Sequence, residues 1–138
     1  MKKNAFTLLE LLVVIGIIGI LVALATVSYS KTQSAGRDSR RKQDMVSIQN
    51  ALEQYYSAEG YKYPSATCNE AETEYLKSTW PVDPDNSLPY IYSERCSPSE
   101  YCVCALLERS GTGNADSANS SVCDFGGSKD YYCVGNLQ

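Results

Sequence analysis

At 138 residues the chain has room for one domain and an appendage, and its 43% hydrophobic content is ordinary for a globular protein. It carries a formal charge of −4 and no histidine, which removes most Ser/His and Cys/His nucleophile arrangements. Carboxylate pairs such as Glu70 and Glu72 are too generic to define a site, so an enzyme is the least supported class.

The first element is an apolar stem. From Leu11 to Ser30 the chain has twenty uncharged residues, mostly Leu, Ile, Val, Ala and Gly. As a helix they span about 30 Å, the thickness of a bilayer's hydrocarbon core. Lys2 and Lys3 precede the stem, so the N-terminus is expected on the cytoplasmic side and the rest of the chain outside. A cleaved secretory signal fits less well, because its apolar region is about 7–15 residues long and Glu10 would interrupt it. An acidic side chain within such a segment costs about 2.5–3.5 kcal/mol at mid-membrane, so Glu10 is read as functional.

No proline occurs from Thr7 to Ala58, so one helix is expected to run from the stem into the soluble head and to end near Ala58. Residues 36–44, GRDSRRKQD, are polar all round. Met45, Ile48, Leu52 and Tyr55 then recur at spacings of three and four and make one apolar face. Gly60 and Pro64 mark the stop. Residues 61–89 read as an irregular connection with a short helix over about 70–77. Three strands are expected, within 90–94, 100–108 and 130–135, with a Gly/Ser/Asn surface loop over 109–121. The fold expected is α+β, a long N-terminal helix whose 45–58 face packs on a small antiparallel sheet of about three strands.

Cys68, Cys96, Cys102, Cys104, Cys123 and Cys133 all lie in the head, and an even count in a small exported domain reads as a disulfide framework. A zinc site is disfavoured because Cys102-Val103-Cys104 lacks the usual ligand spacing and there is no histidine. Fifteen connectivities are open. Cys68–Cys96 is the first choice, with Cys102 and Cys104 pairing to Cys123 and Cys133, because strand residues two apart share a face.

The run Lys2-Lys3-Asn4-Ala5, then Phe6-Thr7-Leu8-Leu9-Glu10, resembles the class III signal of type IV pilins and type II secretion pseudopilins. GYKYP (60–64) followed by WPVDPDNSLPYIY (80–92) resembles the major pseudopilins and the pilins close to them. The resemblance implies a leader of residues 1–5 cut by prepilin peptidase between Ala5 and Phe6, with Ala5 standing where the family usually has Gly. It also implies N-methylation of the Phe6 amine and a hydrophobic helix over 6–30 that is first transmembrane and then filament core. The head is then 31–138. Glu10 of one subunit is expected to meet the Phe6 amine of a neighbour. The implied partners are further copies of the chain, the peptidase, an inner-membrane assembly platform and, before assembly, the membrane. The function expected is a structural subunit of a type IV pilus, with a type II pseudopilin or a DNA-uptake pilin as alternatives.

Three weaker features remain. The basic cluster Arg37, Arg40, Arg41 and Lys42 has the charge to contact DNA phosphates, lipid headgroups or the neighbouring Asp38 and Asp44, but a solvated charged face is the simpler expectation. Asp83, Asp85 and Asn86 offer oxygen ligands for Ca²⁺, although a Pro-rich turn accounts for them as well; no other cofactor is expected. Asn119-Ser120-Ser121 fits a glycosylation acceptor.

Overall fold

The computed structural model describes residues 6–65, 67–76, 79–85, 96–117 and 123–137. The chain divides into two compact units, Met1–Ser34 and Ala35–Gln138, and each is described by itself.

Helix α1 is Leu8–Ala58. In the first unit its side chains are exposed from Leu8 through Leu24 and, apart from Glu10, apolar, with no core of their own. The second unit gives the remainder of α1 a buried stripe: Asp38, Arg41, Met45, Ile48 and Leu52, at alternating spacings of three and four. The stop at Gly60 follows from its backbone. Gly60 turns into the left-handed region (φ +70) and Tyr61 N–H then donates to Tyr56 O, which satisfies a terminal carbonyl of the helix.

Past the helix, a 3₁₀ turn over Cys68–Ala71 leads into the one-turn helix α2, Glu72–Tyr75. The sheet has four strands: β1 (Cys102–Leu106), β2 (Ala115–Ser117), β3 (Asp124–Phe125) and β4 (Tyr131–Gly135), in the order β1-β4-β2-β3. β1 and β4 pair antiparallel along their whole length, from Cys102 opposite Gly135 to Leu106 opposite Tyr131. β4 also pairs with β2 at Ala115 opposite Tyr131.

β1 and β4 are two of the expected strands, β2 and β3 were not among them, and β2 has a local cause. The segment 109–121 was expected to be a surface loop, yet it carries β2. Asn114 brings this about: its N–H donates to Tyr131 O, and its carboxamide donates to Cys133 O and accepts from Cys133 N–H. A side chain here does the work of a strand backbone. Gly113 before it lies so close to Tyr131 O that a Cβ would overlap it, which is why glycine stands there. The strand expected within 90–94 lies outside the described residues.

β1 is buried on both sides, and alternation sorts its residues. Tyr101, Val103 and Ala105 face α1 and join Met45, Ile48, Leu52, Tyr63 and Val134 in one core. Cys102 and Cys104 face the other way and join Cys123, Cys133 and Ala115 in a second. The bridges are Cys68–Cys96, Cys102–Cys123 and Cys104–Cys133. Tyrosines fill the end of the helix-side core: Tyr63 stacks on Tyr56 (4.6 Å) and meets Tyr101 edge-on (4.8 Å).

Leu52 is fully buried between α1 and the sheet. Leu52→Ala should therefore lower the unfolding free energy by about 2–5 kcal/mol, read from the urea midpoint. Val46→Ala, on the exposed face of the same helix, should change it by less than about 1 kcal/mol.

Candidate functional site

The N-terminal segment offers one polar constellation among apolar side chains. Thr7 precedes α1, and its N–H and hydroxyl both donate to Glu10 Oε2 at 2.9 Å, while Glu10 N–H points back to Thr7 Oγ1 at 3.3 Å. This is a capping box, in which residues three apart satisfy each other's free donors at the start of a helix. Thr7-x-x-Glu10 ahead of an apolar run is the sequence signature of that motif, and it gives the Glu10 carboxylate a partner within its own chain. Phe6, beside it, is 82% exposed. Ala5 lies outside the described residues.

The head's polar centre is Arg41, whose side chain has no exposed surface. Its Nε and Nη2 donate to the two oxygens of Asp83, both at 2.8 Å. Nη1 donates to Asp38 Oδ1 and to Glu108 Oε1, again at 2.8 Å. Arg37 grips Glu108 with Nε and Nη2 and lies 3.9 Å from Asp85. Asp38 closes the arrangement by accepting the backbone N–H groups of Glu108 and Arg109. Two arginines on α1 thus hold the 83–85 segment and the chain leaving β1. The hydrogen bonds that Asp83 accepts raise the Arg41 pKa further above its ordinary value. The Arg37 hydrogen bond, helped by Arg41, lowers the Glu108 carboxyl to about 2.

This corrects the expectation of a solvated basic face. Arg41 is interior, Arg37 is engaged, and Lys42 donates to Thr112 O while lying 5.5 Å from the centre of the Tyr132 ring. Three of the four cations read as a DNA patch are thus engaged within the head, and Arg40 alone of them stays on the exposed side. The calcium candidates are likewise built around a guanidinium: both Asp83 oxygens accept from Arg41, and Asp83 Oδ1 also accepts from Asp85 N–H. Asn86 and the Asn119 acceptor site lie outside the described residues.

A second carboxylate acts as a hub. Glu53 accepts from the hydroxyls of Tyr63 and Tyr101 and from Leu137 N–H, each at 3.0 Å. Burial and this neighbouring carboxylate push both tyrosine hydroxyls above their ordinary pKa. Spacing on α1 gave no notice of Glu53 or Glu108, because their partners are 10–84 and 67–71 residues away.

An exposed apolar helix start with one capped carboxylate, on a chain whose head is a disulfide-bonded sheet on the same helix, is the arrangement expected of a prepilin-type protein. Comparison with known proteins gives one motif and distant likenesses. Residues 1–26 match the family described as "Prokaryotic N-terminal methylation motif". The chain is similar to the "Type IV major pilin protein PilA" of Myxococcus xanthus (strain DK1622), 34% identical over 56 residues, covering 41% of this chain and 26% of that protein. It is also similar to the "Type II secretion system core protein G" of Escherichia coli (strain K12), 34% identical over 64 residues, covering 46% of this chain and 43% of that protein. Each match spans less than half of the relative's length. No solved structure matches the chain significantly. Behind the methylation motif, the chain thus shows distant homology to a type IV pilin and to a type II secretion pseudopilin alike.

Two outcomes test the buried cluster. Arg41→Met leaves Asp38 and Asp83 buried without their cation and should cost about 3–5 kcal/mol, whereas Arg40→Met on the exposed side should stay within about 0.5 kcal/mol. Glu108 ionises near 4.5 when unpaired and near 2 in the fold, so the unfolded chain takes up its proton first. Its contribution is complete above about pH 4.5 and is lost as pH falls towards about 2, so urea midpoints should drop through that window and drop less steeply in Glu108→Gln.

Proposed function

We propose that the chain is a structural subunit of a type IV pilus, polymerising through the apolar start of α1 after prepilin peptidase cuts between Ala5 and Phe6. The observation that carries this is the exposed apolar run of α1 behind a methylation motif, interrupted by a single carboxylate. Leu8–Ala58 is long and apolar enough to cross a membrane, which gives the uncut precursor a place to wait. In a filament, the same side chains are removed from lipid by packing against those of other subunits.

The cut gives Phe6 an α-amino group, which the family's peptidase methylates. In the assembled filament, Glu10 of one subunit meets the Phe6 amine of a neighbour. Two unit charges about 4 Å apart attract by about 4 kcal/mol at an effective dielectric near 20. Desolvation offsets much of that, so the pair sets the axial register of subunits more than it adds net stability. Thr7 holds the carboxylate at the helix start, where an incoming amine finds it already oriented.

A pseudopilin of a type II secretion system is the second reading. It is favoured by the alignment to the E. coli core protein, which covers a larger share of both chains than the pilin alignment does. Long sheared surface fibres containing this chain support the pilus, and short fibres dependent on secretion genes support the pseudopilus.

Glu10→Val should leave the membrane-fraction yield unchanged or raised, because an apolar side chain replaces a costly one. Sheared-filament yield should fall about tenfold or more, the effect of losing 1.4 kcal/mol per contact. Normal filaments from the Glu10→Val chain alone would refute the pairing role.

A further inference from the structure

The second face of the sheet gathers four sulfurs. The Sγ atoms of Cys102, Cys104, Cys123 and Cys133 all lie within 4.8 Å of one another, and those of Cys102 and Cys104 are 3.7 Å apart. In a tetrahedral zinc tetrathiolate, with Zn–S about 2.3 Å, every S···S separation is about 3.8 Å. The Cys102–Cys104 pair is already at that spacing and the widest pairs need to close by only about 1 Å, while the two disulfide-bonded pairs, Cys102–Cys123 and Cys104–Cys133, open to it on reduction.

The strand ladder sets these positions. Cys104 and Cys133 are register partners in the β1–β4 ladder, and Cys102 lies two residues along on the same face. Cys123 immediately precedes β3, and Asn114 brackets the Cys133 backbone with two hydrogen bonds. All four are buried, with Ala115 and Tyr131 packed against them, so the thiolates would be shielded from water. Access exists as well: a cleft of about 350 Å³ is lined by Cys123, Cys133, Asn114 and Gly135. Cys68 and Cys96 belong to the helix-side core. The short spacing Cys102-Val103-Cys104 argued against zinc in one dimension, whereas strand pairing supplies the other two ligands in three.

We propose that the reduced chain binds one zinc-class divalent cation on Cys102, Cys104, Cys123 and Cys133, so that metal binding and disulfide formation compete for the same sulfurs. The newly made chain carries six thiols and needs no reductant to reach this state. Binding converts four thiols into four thiolates on one Zn²⁺ and releases four protons. Oxidation reverses it through an external disulfide catalyst. For each native bridge formed, one external disulfide accepts two electrons and leaves as two thiolates; when both bridges have formed, the cation is released.

The test uses the full chain in detergent micelles, reduced with a phosphine that is then removed without oxygen, and titrated with Co²⁺. The expected result is the charge-transfer and intense visible absorption of a tetrahedral cobalt tetrathiolate, saturating at one ion per chain and bleached by Zn²⁺. With Zn²⁺ bound, alkylation should mark Cys68 and Cys96 and spare the other four. Cys104→Ser should weaken Co²⁺ binding by at least about tenfold, while the double variant Cys68→Ser, Cys96→Ser should keep the full spectrum. The oxidised chain should show none of it. The proposal is overturned by absence of the band at one equivalent, by equal alkylation of all six thiols with and without Zn²⁺, or by a spectrum indifferent to Cys104→Ser.

Discussion

A guanidinium with no exposed surface cannot lose its proton to escape burial, so everything around Arg41 must satisfy it. Three carboxylates from three parts of the chain do so: Asp38 one turn away on α1, Asp83 from the connecting segment, and Glu108 just beyond β1. The planar fork accepts them only in fixed directions, which ties the placement of the segment and of the sheet to one helix position. Such a cluster adds little net stability compared with apolar packing, and its larger effect is on which arrangement forms. Along α1, the same buried stripe passes from this ionic layer to Met45, Ile48 and Leu52.

The sheet between these elements is small, and its two faces are secured differently. Towards α1 it is held by side-chain packing, and on the other face by two of the three bridges. A head of this size has limited apolar surface to bury, and covalent links that restrict the unfolded chain compensate for that. The disulfide side therefore needs few large side chains, and Ala115 suffices there beside the sulfurs.

Much of this was legible in the sequence, in places where a period or a local motif carries the signal. The apolar face at 45, 48 and 52 follows from helical spacing, and β1 and β4 from their alternating, Tyr- and Val-rich residues. β2 was not legible, because it is held by the Asn114 carboxamide and by Gly113 at a close approach, in a stretch with a loop's composition. The basic cluster misled for a related reason. RDSRRK (37–42) looks solvated in one dimension, and only the fold brings Asp83 and Glu108 to it from 42 and 67 residues away. The Thr7–Glu10 capping box is present in the sequence as Thr-x-x-Glu ahead of an apolar run, a local signal that the membrane-spanning character of the segment masks.

Glu53 bears on how the head closes during folding. Its carboxylate ends three nested loops at one point, to Tyr63 across 10 residues, to Tyr101 across 48 and to Leu137 across 84. The entropy of closing a loop rises only slowly with its length, so each inner contact shortens the effective loop that the next must close. The short Tyr63 contact can form while later residues are still being made. The longest one cannot, and neither can the pairing of β1 and β2 through β4, which comes last in the chain. The head is therefore a late-closing fold, and until Tyr131–Gly135 has been made its β1 residues have no strand to pair with among those described here.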